Sequence, residues 1–113
     1  MKEAVLNFIQ QKGLKIPRIH TEYEGGVICY IHFSIPQWDF FIYEIDETGD
    51  FANAIVHSPF THDTPDHGLI PLKNFAEKYT EAFSNEFDFY AAKIDETFTP
   101  IPLVEAMKSR GNG

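Results

Sequence analysis

Cysteine and long apolar runs are both scarce in this sequence. Cys29 is the single cysteine, which excludes a disulfide within the chain and a four-cysteine zinc site. No run approaches the ~18 consecutive apolar residues that a membrane-spanning helix needs. The opening residues, MKEAVLNFIQQK, lack the apolar block of a signal peptide. We therefore expect a soluble, cytoplasmic protein with no membrane partner.

Basic residues are scarce too, and unevenly placed. Nine Lys and Arg face seventeen Asp and Glu, so the net charge is −8. From residue 19 to residue 72 there are nine acids and no Lys or Arg. Because a nucleic-acid-binding domain needs a basic patch, direct nucleic-acid binding is disfavoured. A basic protein would suit this acidic segment, while acids that serve only solubility are the alternative. The acids expected to lead such a contact are Glu44, Asp46, Glu47 and Asp50, with Glu22 and Glu24 nearby if the register of the hairpin brings them there.

Apolar and aromatic side chains, by contrast, are plentiful. Of the 113 residues, 43% are hydrophobic and 15% aromatic, which is enough to fill one core. The length is typical of one compact domain. We expect residues 1–113 to form a single domain whose glycine-containing end, residues 109–113, frays.

Three segments have helical patterns. Val5, Leu6 and Ile9 follow helical spacing within residues 2–12, and Gly13 suits a helix end. Apolar residues recur every three or four positions over 71–84, with a proline admissible in the first turn. Pro102 suits the start of a short C-terminal helix.

Between the first two helices the hydrophobic period is two, which indicates strands. The predicted strands, joined by short turns into an antiparallel meander, are 18–23, 27–35, 38–45 and 51–57. In the second of these, Cys29 shares a face with Ile31 and Phe33. Residues 58–68 are expected to form a loop, and residues 86–97 fit either a fifth strand or a helix. The predicted fold class is α+β: an antiparallel sheet of four to five strands with helices packed on it.

Two segments of the chain echo each other. WDFFIYEIDET, from Trp38, and FDFYAAKIDET, from Phe87, agree at six of eleven positions. An internal duplication is one interpretation. The other is two strands that pack alike and end in similar acidic turns.

Histidine and carboxylate side chains concentrate in HSPFTHDTPDH. Imidazole and carboxylate groups are suitable ligands for a divalent metal, and a metal-bound water would make a hydrolase conceivable. The candidate ligands are His57, His62, Asp63 and His67. Their spacing matches no diagnostic metal motif, so surface polar residues are the alternative. No catalytic residue is assigned and no cofactor other than this metal is expected, and Cys29 is read as a core residue.

Three further segments carry a resemblance. The Trp-aromatic strand contributes Trp38, Phe40, Phe41, Glu44 and Asp46; GLIPL contributes Gly68 and Leu72; and FTPIPLVEA contributes Phe98, Pro100, Pro102, Leu103 and Glu105. In these the chain resembles an uncharacterised family of small domains from bacteria and their plasmids, phages and other mobile elements. Ile70 stands where the family usually has an aromatic residue. The resemblance implies an α+β fold and a mobile-element setting, and it implies no activity.

The sequence thus predicts a non-catalytic acidic binding module that engages a basic protein, such as a nucleic-acid-binding or defence factor. A metal-dependent hydrolase that uses the histidine-containing loop is one alternative. The other is a structural subunit that forms a homodimer through the edge of its aromatic strand, so the oligomeric state is either monomer or homodimer.

Overall fold

The computed structural model describes residues 1–19, 26–61, 64–75 and 92–108. The helices are α1 (Lys2–Lys12) and α2 (Leu103–Lys108), and a 3₁₀ turn spans Leu72–Asn74. The strands are β1 (Ile28–Cys29), β2 (Ile31–Ile35), β3 (Trp38–Ile45), β4 (Phe51–His57), β5 (Asp66–Pro71), β6 (Lys93–Ile94) and β7 (Ile101–Pro102). The predicted α+β class is confirmed. The predicted frayed end, residues 109–113, lies outside the described residues.

Helix α1 forms where the sequence places it. Val5 and Phe8 are buried on its inner face, and no glycine or proline interrupts it. Gly13 ends the helix in the left-handed conformation, with φ of 65°, which a residue without a Cβ adopts at little cost. The helix is therefore held by its amphipathic pattern and by a glycine C-cap.

The main sheet has five antiparallel strands in the order β5-β4-β3-β2-β6. The four strands of its meander are β2, β3, β4 and β5. The loop predicted over 58–68 therefore ends earlier than expected, because strand β5 begins at Asp66. In the predicted strand 18–23, Arg18 forms an isolated parallel bridge with Ile45, and residues 20–23 lie outside the described part. The aromatic strand β3 is the middle strand and pairs on both sides, so it has no open edge for a homodimer.

The strand predicted over 27–35 is interrupted at Tyr30. Residues Ile28–Cys29 pair with β7 in a separate two-stranded sheet, while β2 pairs with β3. Cys29 therefore packs with Phe41, on the opposite face from Ile31 and Phe33. The prediction that Cys29 shares their face is wrong because strict alternation does not survive the irregularity at Tyr30.

Both faces of the main sheet are covered. On the first face, Phe33 and Phe40 stack with ring centroids 4.6 Å apart, and Phe75 meets both rings edge-on. Val5 of α1 belongs to the same cluster. On the second face, Ala106 of α2 packs with Phe41 in a smaller cluster. Burying each of these large rings contributes roughly 2 kcal/mol through removal of apolar surface from water.

After β5, the start of one predicted helix is corrected and one open alternative is narrowed. The helix predicted over 71–84 does not begin at Pro71, because Pro71 pairs with Phe51 in the sheet and the chain then makes the 3₁₀ turn. Residues 76–84 lie outside the described residues. Within 86–97, residues Lys93–Ile94 form strand β6 beside β2, and residues 86–91 are not described.

Candidate functional site

Three of the acidic candidates lie in the turn between β3 and β4, residues 46–50, which we name the acidic turn. The Asp46 carboxylate accepts N–H bonds from Thr48 (3.1 Å), Gly49 (2.7 Å) and Asp50 (3.0 Å). Desolvation raises the pKa of Asp46, but the Thr48 hydroxyl and the backbone N–H groups outweigh it and lower the pKa overall. Asp46 is thus ionised at neutral pH and holds the turn together.

Asp50, in the same turn, is compensated by the chain's N-terminal helix. Its carboxylate lies 2.8 Å from the Lys2 ammonium. That bond, and then the Thr48 hydroxyl, lower the pKa of Asp50, while the pairing raises the pKa of Lys2. The pair joins the start of α1 to the acidic turn, so part of the turn's negative charge is neutralised by a lysine from outside the acidic segment.

The other acidic candidates divide into three cases. Glu44 is buried, and its carboxylate accepts a 2.7 Å bond from the side chain of Asn53. Glu47 is exposed at the tip of the acidic turn and, with Arg18 and Asp46, lines a shallow surface depression. Glu22 and Glu24 lie outside the described residues. The structure therefore brings Asp46, Glu47 and Asp50 together and directs Glu44 inward.

Of the four candidate metal ligands, His57 and His67 lie among the described residues. His57 is buried and donates from Nε2 to the Ala106 carbonyl oxygen at 2.7 Å, which ties α2 to the end of β4. His67 is exposed on β5. His62 and Asp63 are not among the described residues. Within the described ranges, no three His, Cys, Asp or Glu side chains are grouped to hold a metal ion.

A polar cluster that sequence reasoning missed lies on the second face of the sheet. His32 donates from Nε2 to Asp39 at 2.8 Å, and its Nδ1 lies 3.4 Å from Asp95. The imidazole stacks on Phe41, with ring centroids 4.6 Å apart. Asp39 and His32 are both nearly fully buried. The signal for this cluster was available, since His32 and Asp39 are polar residues inside mostly apolar strands.

The polar cluster attaches the turn that begins at Asp95 to strand β2. The Asp95 N–H donates to the His32 carbonyl oxygen at 2.9 Å, so backbone and side chain both attach this turn to β2. The Thr97 hydroxyl first, then the Thr97 N–H and His32, lower the pKa of Asp95. Asp46 and Thr48 make the same contacts as Asp95 and Thr97. The two IDET segments therefore form the same turn, while residues 87–91 of the second segment lie outside the described residues.

Cys29 is fully buried. Desolvation raises the pKa of its thiol to about 12, so the thiolate that would act as a nucleophile is nearly unpopulated at neutral pH. This placement agrees with the interpretation of Cys29 as a core residue.

Comparison with known proteins identified no relative. A scan of family models, a search of curated proteins and a search of solved structures each found no match to this chain. The resemblance to the family of small bacterial and mobile-element domains stays a prediction. Among the described residues, neither helix has the length and apolar character to cross a bilayer.

Proposed function

We propose that this chain is a non-catalytic binding module that docks a basic protein at the acidic turn. The observation that carries the proposal is the fixed geometry of that turn. Asp46 and Asp50 have lowered pKa values and are bonded to the turn's own backbone and neighbours, while Glu47 is exposed at its tip. Negative charge held in place costs little ordering entropy when a partner binds.

Three groups suited to chemistry in the described part of the chain are engaged within the fold, which supports binding over catalysis. His32 contacts two carboxylates, and His57 donates to a backbone carbonyl. Cys29 is buried with a raised pKa. Each of these contacts connects separate parts of the chain, so each has a structural use.

The expected interaction is electrostatic and therefore sensitive to salt. The chain carries a net charge of −8, which speeds the encounter with a positively charged surface. At physiological ionic strength, exposed charges are screened over about 8 Å. Lysine or arginine side chains of a partner would compete with Lys2 for Asp50.

The setting that we propose follows from the resemblance stated above. A protein of a mobile element with this charge would engage a host nucleic-acid-binding or defence factor, whose basic groove ordinarily receives phosphates. Carboxylates spaced along a turn would then imitate phosphate charges.

The test uses an oligolysine peptide as the probe and an oligoglutamate peptide as its control. We expect oligolysine to shift the backbone amide resonances of residues 46–50 at low salt, and the shifts to vanish by ~0.5 M salt. Glu47→Gln should weaken binding, whereas Glu105→Gln, which removes the same charge from exposed Glu105 on α2, should not. Lys2→Ala should strengthen binding because it frees Asp50.

Two results would contradict the proposal. One is binding that persists unchanged at high salt, since that interaction would not be electrostatic. The other is equal weakening by Glu47→Gln and Glu105→Gln, since binding would then depend on net charge and not on the acidic turn.

A further inference from the structure

Strand β5 forms one edge of the main sheet. It pairs with β4 on its inner side, and among the described residues no strand pairs with its outer side. His67 and Leu69 are exposed, Leu69 at 57%. Proteins usually protect such an edge with charged residues, above all lysine, or with proline, a bulge or a covering element. Strand β5 has Asp66 and Pro71 at its two ends, but no charged residue of the Lys, Arg, Asp or Glu type and no proline between them.

The backbone groups that point outward from β5 can be identified. The Leu72 N–H donates to the Asp50 carbonyl oxygen, and bonding alternates along an antiparallel pair. The groups of Ile70 and Gly68 therefore face β4, while the N–H and C=O groups of His67 and Leu69 face outward. The open edge thus offers two donors and two acceptors within three residues.

No contact among the described residues requires a glycine at position 68, between these two residues. Its φ is not in the left-handed region, and a Cβ added there would meet no atom of the described residues within 4 Å. Glycine weakens a strand and often marks a place where another backbone approaches closely. Pro65 and Pro71 stand three residues before and three residues after Gly68, so the edge segment is symmetric about it.

We propose that β5 pairs antiparallel with β5 of a second copy of this chain, about a two-fold axis at Gly68. In this register His67 of each copy pairs with Leu69 of the other, and all four outward N–H groups donate across the interface. Pro65 of each copy lies opposite Pro71 of the other, so the pairing ends where neither residue has an N–H to leave unpaired. Centring the axis on His67 or Leu69 would instead place a proline opposite one of the outward-facing residues, and bonds would be lost.

The two Asp66 carboxylates do not oppose this strand pairing. Asp66 lies opposite Ile70 of the second copy, so the two Asp66 residues are separated by four residues along the strands. At 3.4 Å per residue that is about 14 Å, which exceeds the ~8 Å screening length. Because one strand from each copy makes a small interface, we expect a weak dimer whose population rises with protein concentration.

Sedimentation equilibrium between ~10 µM and ~1 mM tests the dimer. We expect the apparent mass to rise from 13.0 kDa toward twice that value. Leu69→Lys should keep the protein monomeric, because lysine on an open edge opposes strand pairing. Val104→Lys is the matched control, since Val104 is 58% exposed, and it should dimerise like the unchanged chain. A mass that stays at one chain throughout, or equal dimerisation of both variants, would overturn the proposal.

Cysteine cross-linking tests the register separately. Gly68→Cys places two thiols opposite each other at the two-fold axis, within the 4.4–6.8 Å Cα separation of a disulfide. Asp66→Cys, by contrast, leaves its two thiols too far apart. Mild oxidation should yield covalent dimer from Gly68→Cys only, because Cys29 is buried. Covalent dimer from Asp66→Cys, or none from Gly68→Cys in a protein that still dimerises, would overturn the assigned register.

Discussion

Removal of the Asp39 carboxylate is the most direct test of the buried polar cluster. In Asp39→Ala, the Nε2 of His32 loses its 2.8 Å acceptor while the imidazole stays buried against Phe41. Leaving a buried polar group without its hydrogen-bond partner typically costs about 1–3 kcal/mol. Because the lost bond is the shorter of the two that the His32 ring makes to carboxylates, we expect a loss near the upper end, about 3 kcal/mol.

The corresponding change in melting temperature follows from chain length. An unfolding entropy of about 2 cal/mol/K per residue near 60 °C gives about 0.24 kcal/mol/K for the whole chain. A loss of about 3 kcal/mol therefore lowers the Tm by about 12 °C. Circular dichroism during heating measures the Tm, and urea unfolding measures the free energy independently.

Two variants control this measurement. Glu96→Ala removes an exposed carboxylate next to Asp95 and should change stability by less than about 0.5 kcal/mol. The double variant Asp39→Ala with His32→Phe removes both members of the pair and keeps an aromatic ring against Phe41. Its loss should be smaller than the sum of the two single losses by about 1–3 kcal/mol. A loss below about 1 kcal/mol in Asp39→Ala alone would refute the reasoning, since the carboxylate would then be replaceable by water.

Three further predictions concern acid, the thiol and the acidic turn. The pKa of Asp95 is lowered in the folded protein. Ionised Asp95 therefore stabilises the fold above the unfolded pKa of about 4, and this stabilisation is lost as the pH falls through the folded pKa. Asp95→Asn should therefore flatten the decline of Tm between pH 5 and about pH 2, and an unchanged decline would contradict this. Cys29, with a pKa of about 12, should react with iodoacetamide at pH 8 roughly 10³-fold more slowly than in the urea-unfolded chain, and equal rates would show that it is accessible. Gly49→Ala should cost about 1–2 kcal/mol, because Gly49 has φ of 81° and an added Cβ would meet Leu6 at 3.0 Å. Gly68→Ala, where an added Cβ meets no atom of the described part of the chain within 4 Å, is the control and should cost little.

Periodicity predicted the elements whose patterns are local. Helix α1 and strands β3 and β4 appear where spacing and flanking turn residues place them, because each buries one face or both faces of a regular element. Strand β5 was missed for a physical reason. Its residues, DHGLIP, are largely exposed, so they carry no alternating apolar signal, and only pairing with β4 makes them a strand.

The face that Cys29 occupies shows a second limit of reading the sequence. Period two assigns every second residue to one face only while the strand continues unbroken. The irregularity at Tyr30 transfers Cys29 to the second cluster. Sequence periodicity did not predict the polar cluster either, because Asp39 and Asp95 are 56 positions apart in the sequence. Both carboxylates reach His32 because β2 pairs with both β3 and β6.

The acidic residues show why charge counted along a sequence does not equal charge presented by a surface. Asp46 and Asp95 occur in the same IDET sequence and make the same turn, yet Asp95 also contacts His32 while Asp46 lies beside exposed Glu47. A carboxylate that accepts several backbone N–H bonds remains charged, but the N–H dipoles of its own turn offset part of its negative potential. Substituting the turn acids one at a time should therefore separate two effects. Loss of Glu47 should change binding without changing stability, whereas loss of Asp46 should unfold the turn and change both.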